Sequence, residues 1–160
     1  MCGIAGFVLR DAAQIDGTST LRSMTESLVH RGPDGSGIHL DRGGSVGLGH
    51  RRLAIVDLSA EGHQPMMSHT GRYVITYNGE VYNFQRLRSV LQRGGVSFRG
   101  HSDTEVMLAA FEAWGIASAI RRFVGMFALA LWDRQEQELW LARDRLGKKP
   151  LYVGIVQGSL

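Results

Sequence analysis

"MCGIAGF" (1–7) opens the chain and carries its only cysteine, Cys2. A side chain one residue from the start has little to pack against. Loss of Met1, however, would make this cysteine the first residue, with its thiol and the α-amine side by side. A thiol is a weak nucleophile until it loses its proton or gains a base. The α-amine can be that base, since it titrates near pH ~8 and sits on the same residue. The plainer alternative is a small apolar side chain in an edge strand. On this stretch alone both readings stand, and Gly3 helps the first by letting backbone and substrate approach closely.

The 160 residues suffice for one domain with a buried core. Hydrophobic residues make up 44% and charged residues 21%, ordinary values for a globular chain. The formal charge of +3 comes from 18 basic and 15 acidic residues with no basic block, which argues against a nucleic-acid partner. One cysteine cannot form an internal disulfide, so nothing points to an oxidising compartment. No signal peptide is visible, and apolar runs such as "VGMFALALW" (124–132) are too short to span a bilayer. The expectation is a cytoplasmic protein without a membrane partner. The histidines His30, His39, His50, His63, His69 and His101 show no metal-ligand spacing, so no metal site is expected.

Working outward, residues 2–9 read as a buried strand. Residues 18–30 place Leu21, Met24 and Leu28 at helical spacing behind a Thr or Ser cap. Short strands are expected at 37–41, 46–52 and 72–78. Residues 83–95 read as a helix with Asn83 as cap and Gly94 or Gly95 as the stop. Residues 102–115 open on a capping box, Ser102 to Glu105. The runs 126–133 and 138–144 flank the turn "RQEQ" as a hairpin, and 151–156 reads as a last strand. Strands and helices come in groups rather than in βαβ alternation, which predicts antiparallel sheets with helices on their faces.

Several stretches carry two readings each. "YNGEVYN" (77–83) is either an Asn-Gly hairpin turn or an oxyanion hole, with the Asn78 amide and the Gly79 N–H converging on one developing charge. Arg52 is either a surface arginine or a guanidinium that grips a carboxylate. Asp103 in a first helical turn favours the helix dipole, or it accepts a substrate ammonium. An arginine and an aspartate together would read both ends of a free amino acid. "HRGPDGSG" (30–37) is a turn-rich loop or a lid made of Arg31, Gly32, Pro33 and Asp34. "RDRLGKKPL" (143–151) reads by default as a solvated basic loop.

"MCGIAGF", "HRGPDGSG", "RLAIVDLS", "GHQPM", "YNGEVYNF", "SDTEV", "GMFALALWD" and "RDRLGKKPLY" occur in this order. In this set the chain resembles the glutaminase domain of glutamine-hydrolysing asparagine synthetases. These are class II glutamine amidotransferases, a branch of the N-terminal-nucleophile hydrolases. The resemblance covers residue 1 to about residue 154. It implies an α+β fold, the αββα sandwich with two antiparallel sheets between helical layers. It also implies a glutamine-dependent amidotransferase with Cys2 as nucleophile and Asn78 and Gly79 as oxyanion hole. Arg52 would take the glutamine carboxylate, Asp103 the α-amine, and Glu80 would line the pocket.

The sequence departs from that family in two respects. No Ser-Gly-Gly-x-Asp-Ser pyrophosphate loop occurs, since "GGSVG" (43–47) and "RGGVSF" (93–98) lack its Asp-Ser end. A C-terminal synthetase domain using ATP and Mg²⁺ is therefore expected outside this chain, which could not make asparagine alone. The glutaminase domain itself, 1–160, reads as C-terminally truncated. The expected ligand is L-glutamine, no cofactor is expected in this domain, and homo-oligomerisation is left open. Two alternatives remain: a glutamine-binding module without turnover, and a glutaminase serving an acceptor other than aspartate.

Overall fold

The strand Tyr73–Val81 has a core on each of its faces, and the architecture follows from that. Tyr73, Ile75, Tyr77 and Val81 are buried against helices, while Val74 is buried against a second sheet. Side chains alternate across a strand, so one buried on both faces belongs in the middle of a layered sandwich.

The computed structural model describes residues 2–11, 15–53, 62–156 and 158–160. Its elements are β1 (Gly3–Val8), α1 (Gly17–Glu26), β2 (Gly35–Leu40), β3 (Val46–Arg52), β4 (Met66–Met67), β5 (Tyr73–Val81), α2 (Phe84–Arg93), α3 (Asp103–Trp114), α4 (Ile116–Arg122), β6 (Gly125–Asp133) and β7 (Glu138–Arg143). One sheet has the order β1-β3-β2 and the other β4-β5-β6-β7, with every pairing antiparallel. Val46, Leu48, Val74, Ala130 and Trp132 fill the space between them. α1 lies on the outer face of the first sheet. Gly49 lets it come close, because a Cβ there would strike the Thr25 hydroxyl and approach Leu21. α2, α3 and α4 cover the outer face of the second sheet through Leu87, Leu91, Met107, Phe111 and Ala119. The layers run helix, sheet, sheet, helix, which is the αββα sandwich.

Most helix and strand positions agree with the sequence reading, and the differences have local causes. α1 is capped by Asp16, whose Oδ1 accepts from Ser19 N at 3.1 Å, rather than by a Thr or Ser. It stops at Glu26 because the chain tightens into bonds three residues back, Val29 N to Glu26 O at 3.0 Å and Arg31 N to Leu28 O at 2.9 Å. Asn83 stands before α2 without capping it. Its side chain instead ties Arg122 O at 2.9 Å and Val124 N at 3.0 Å. Ser102 caps α3 through Glu105 N at 3.2 Å, but the Glu105 carboxylate accepts from Arg99 N and Gly100 N, at 2.7 and 2.9 Å. The sequence reading lacks β4 and α4; the latter restarts at once after Gly115, whose φ of 75° ends α3.

Two expectations fail. Residues 151–156 do not form a strand: Tyr152, Val153 and Ile155 are exposed, and Val156 makes only an isolated bridge to Ser159. The apolar run there meets no sheet edge among the described residues. The segment 143–151 is not simply solvated, since the carboxylate of the buried Asp144 accepts from the N–H groups of Phe127, Leu146, Lys148 and Lys149 at 3.0 to 3.1 Å. Burial pushes this carboxyl up, but those donors outweigh it and hold it down at about 2.

Phe111 is 1% exposed and stacks edge-on with Tyr73 and Phe123, at centroid distances of 6.2 and 5.6 Å. Phe111→Ala should therefore cost roughly 3–5 kcal/mol, measured by urea unfolding. A loss below about 1 kcal/mol would mean the helical layer is not held this way.

Candidate active site

β5 outruns the strand at its edge. β4 pairs only with Val74 and Ile75, and just before it Pro65, joined to Gln64 by a cis peptide, has no N–H to offer a ladder. In an antiparallel sheet, alternate residues turn their backbone groups to the same edge. On β5 that edge carries the groups of Tyr77, Gly79 and Val81, because Ser68 N reaches Tyr73 O there while Tyr82 N reaches Val124 O on the opposite side.

Side chains take over where β4 stops. Tyr77 N donates to Gln64 Oε1 at 2.8 Å, and the Tyr77 carbonyl accepts from His50 Nε2 at 3.1 Å. Val81 N donates to Asp103 Oδ2 at 2.9 Å. Between these clamps lies the Gly79 N–H, which has no acceptor among the described residues. Gly79 itself is fixed by space, since a Cβ would run into Met126 O and the Phe127 backbone. The Asn78-Gly79 pair is therefore not a hairpin turn. It lies inside β5, in register with Ala128 and Phe127, and continuous pairing on both sides of it excludes a chain reversal.

Asp103, in the first turn of α3, is 6% exposed and also accepts from the Tyr77 hydroxyl at 2.7 Å. Burial pushes its carboxyl up, and the Val81 and Tyr77 donors offset only part of that. The Tyr77 hydroxyl is pushed far up by burial first and then by the Asp103 charge, with Glu80 and Cys2 adding to it. Asp103 is thus in contact with the Tyr77 hydroxyl, and the charges of Glu80 and Cys2 reach it from farther away.

The half-buried Cys2 thiol lies at the end of β3, 3.4 Å from Leu53 N and 3.6 Å from Leu53 O. The register pairs Gly3 with Arg51, so Arg52 lies beside Cys2 at the same end of the sheet. The turn at 31–34 folds onto this point. Arg51 Nε donates to Gly32 O at 2.9 Å, Asp34 N donates to Arg52 O at 3.0 Å, and Gly32 lies so close that a Cβ would strike the Arg51 backbone. Most of "RLAIVDLS" and Met1 lie outside the described residues.

His50, Gln64 and Tyr77 have no place in the sequence reading. His50 is 1% exposed, and burial pushes its imidazole down to about 4. The ring is therefore neutral above that pH. Because a carbonyl only accepts, the proton is on Nε2; Nδ1 has no partner among the described residues. Among the described residues no group of three or more His, Cys, Asp or Glu could hold a metal ion, and no helix is long and apolar enough to cross a membrane.

The family model described as a glutamine amidotransferase domain matches residues 1–160. The chain is similar to asparagine synthetase [glutamine-hydrolyzing] 1 of Bacillus subtilis, 39% identical over 154 residues, or 95% of this chain and 24% of that protein. It is also similar to amidase chry2 of Gibberella zeae, 37% identical over 171 residues, or 100% of this chain and 25% of that protein. Among solved structures, glutamine phosphoribosylpyrophosphate amidotransferase from Bacillus subtilis shares the fold. Its TM-score is 0.82 at 23% identity, over 99% of this chain and 40% of that one. The chain spans about a quarter of the length of the curated relatives it matches.

The buried imidazole gives a pH test. His50 binds a proton near 6.5 when unfolded and near 4 when folded, so unfolding takes up a proton between those values. Stability should then fall as pH drops from 6.5 to 4, by up to about 3 kcal/mol from this group. Urea midpoints across that range should flatten in His50→Gln relative to the parent chain. Parallel curves would contradict the assignment.

Proposed function

The chain belongs to the glutamine amidotransferase domain family, and from that premise we propose that it hydrolyses glutamine to glutamate and ammonia through Cys2. The observation that carries this reading is the Gly79 N–H. Among the described residues it is a backbone donor without an acceptor, next in the chain to Asn78 and held between the pinned Tyr77 and Val81.

In this reading Met1 is removed and the Cys2 α-amine takes the thiol proton. The thiolate attacks the side-chain amide carbon of glutamine. Asn78 and Gly79 stabilise the tetrahedral oxyanion. The α-ammonium of Cys2 returns its proton to the leaving nitrogen and ammonia departs. Water then hydrolyses the glutamyl thioester and releases glutamate. Arg52 binds the glutamine α-carboxylate, Asp103 the α-ammonium, and Glu80 lines the pocket. A substrate ammonium suits Asp103, because it offsets the burial that holds this carboxyl up. The turn at 31–34 covers the Arg52 end and helps exclude water.

The acceptor of the ammonia lies outside these residues. The asparagine synthetase relatives favour aspartate, amidated by a synthetase domain that uses ATP and Mg²⁺. "GGSVG" (43–47) runs from the β2–β3 turn into β3 and opens no helix that could cradle the ATP phosphates. Amidase chry2, similar over the whole chain, favours a second reading in which the same glutaminase serves another acceptor.

The test is ammonia and glutamate release from glutamine, with intact mass recorded on the same sample. Chains lacking Met1 should turn over, and Cys2→Ala should not. Asn78→Ala should lower kcat by roughly 10²–10³. Asp103→Asn should act mainly on KM, because its target is bound alike in ground and transition states. Turnover that survives in Cys2→Ala would sink the proposal.

A further inference from the structure

We propose that His50 is a positioning residue: its bond to the Tyr77 carbonyl sets the plane of the Tyr77–Asn78 peptide and the distance between the two sheets, and so aims the Asn78 and Gly79 donors at Cys2. The inference rests on the reading of Asn78 and Gly79 as the oxyanion hole.

Cys2 belongs to the first sheet, through β1 and the end of β3, whereas Asn78 and Gly79 belong to the second. A nucleophile and its oxyanion donors on different sheets are only as well placed as the sheets are relative to one another. The apolar contacts between the sheets are not directional. Two hydrogen bonds among the described residues are. Thr76 Oγ1 donates to Gly49 O at 3.0 Å, and His50 Nε2 donates to Tyr77 O at 3.1 Å. They join neighbouring residues of β3 to neighbouring residues of β5, immediately before Asn78.

The second element is the edge of β5. Among the described residues no strand supports it beyond Ile75, and side chains hold Tyr77, Gln64 on its N–H and His50 on its carbonyl. Gln64 is in turn fixed to α3 through Thr104 Oγ1 at 3.3 Å. Without the His50 donor, the Tyr77 carbonyl would be buried and unpaired, and the peptide would turn to find a partner. That rotation moves Asn78 directly and Gly79 one residue later. His50 needs no charge or proton exchange for this, and its bonded nitrogen is the one that carries the hydrogen.

The experiment compares three variants of the full chain. His50→Gln keeps an N–H donor at similar reach, His50→Asn is too short to reach Tyr77, and His50→Leu removes the donor while keeping bulk. The expected result is a kcat lower by roughly 10- to 100-fold in the Asn and Leu variants, with KM little changed, and recovery of most of it in His50→Gln. Cys2 alkylation by iodoacetamide should be equally fast in all, since the thiol is untouched. Independently of turnover, the amide resonance of Asn78 should move in His50→Asn and stay near its parent position in His50→Gln. A parent-like kcat in His50→Asn, equal losses in the Asn and Gln variants, or an unmoved Asn78 resonance would overturn the proposal. If the parent chain releases no ammonia, the glutaminase reading fails, and the Asn78 resonance alone decides whether His50 positions the peptide.

Discussion

Every polar atom of Tyr77 is engaged by a different part of the fold. Its N–H goes to Gln64, its carbonyl to His50 on the other sheet, and its hydroxyl to Asp103 at the start of α3. Three layers of the sandwich therefore meet at one buried residue. Each bond contributes only about 1 kcal/mol net, but leaving one of these buried groups unpaired costs about 1–3 kcal/mol. That asymmetry makes the arrangement all or nothing. Either the sheets and α3 are in their places and Tyr77 is satisfied, or a buried polar group is stranded.

What this constraint leaves open is as informative as what it closes. Along the edge of β5 beyond β4, the Gly79 N–H is the one strand N–H passed over among the described residues, with clamps on both sides. An open donor in a rigid frame suits charge that develops during a reaction, because no reorganisation is needed when the charge appears. The Cys2 thiol, the Arg52 backbone and the 31–34 turn gather at the end of β3 on the first sheet, whereas Asn78 and Gly79 lie on the second, and Tyr77 holds the two sheets together. The two apolar cores secure the layers, and the polar junction sets their register.

Much of this was legible in the sequence, for physical reasons. The apolar run 126–133 and the run 138–144, separated by the polar turn "RQEQ", read directly as a hairpin, and Ser102 before Glu105 marks the start of α3. The apolar, β-branched run at 151–156 misleads, because it reports a preference for a sheet and not whether an edge is there to pair with. The Asn78-Gly79 dipeptide favours a turn locally, and only the pairing with Phe127 and Ala128, far along the chain, keeps it extended. α4 is too short for its period to register. The motifs single out Cys2, Asn78, Gly79, Arg52 and Asp103 as a set. The roles of His50 and Gln64 stay hidden, since His50 meets Tyr77 across 27 residues and nothing local to "GHRR" or "GHQPM" announces it.

The central claim is that Cys2, freed of Met1, is the group acylated by glutamine. The direct measurement is intact and peptide-level mass after rapid mixing with glutamine and acid quench. The account predicts chains without Met1 that carry one transient glutamyl group on residue 2, lost on the timescale of turnover. Ammonia release with no acylated residue 2 at any time, or a glutamyl group on another residue, would contradict it.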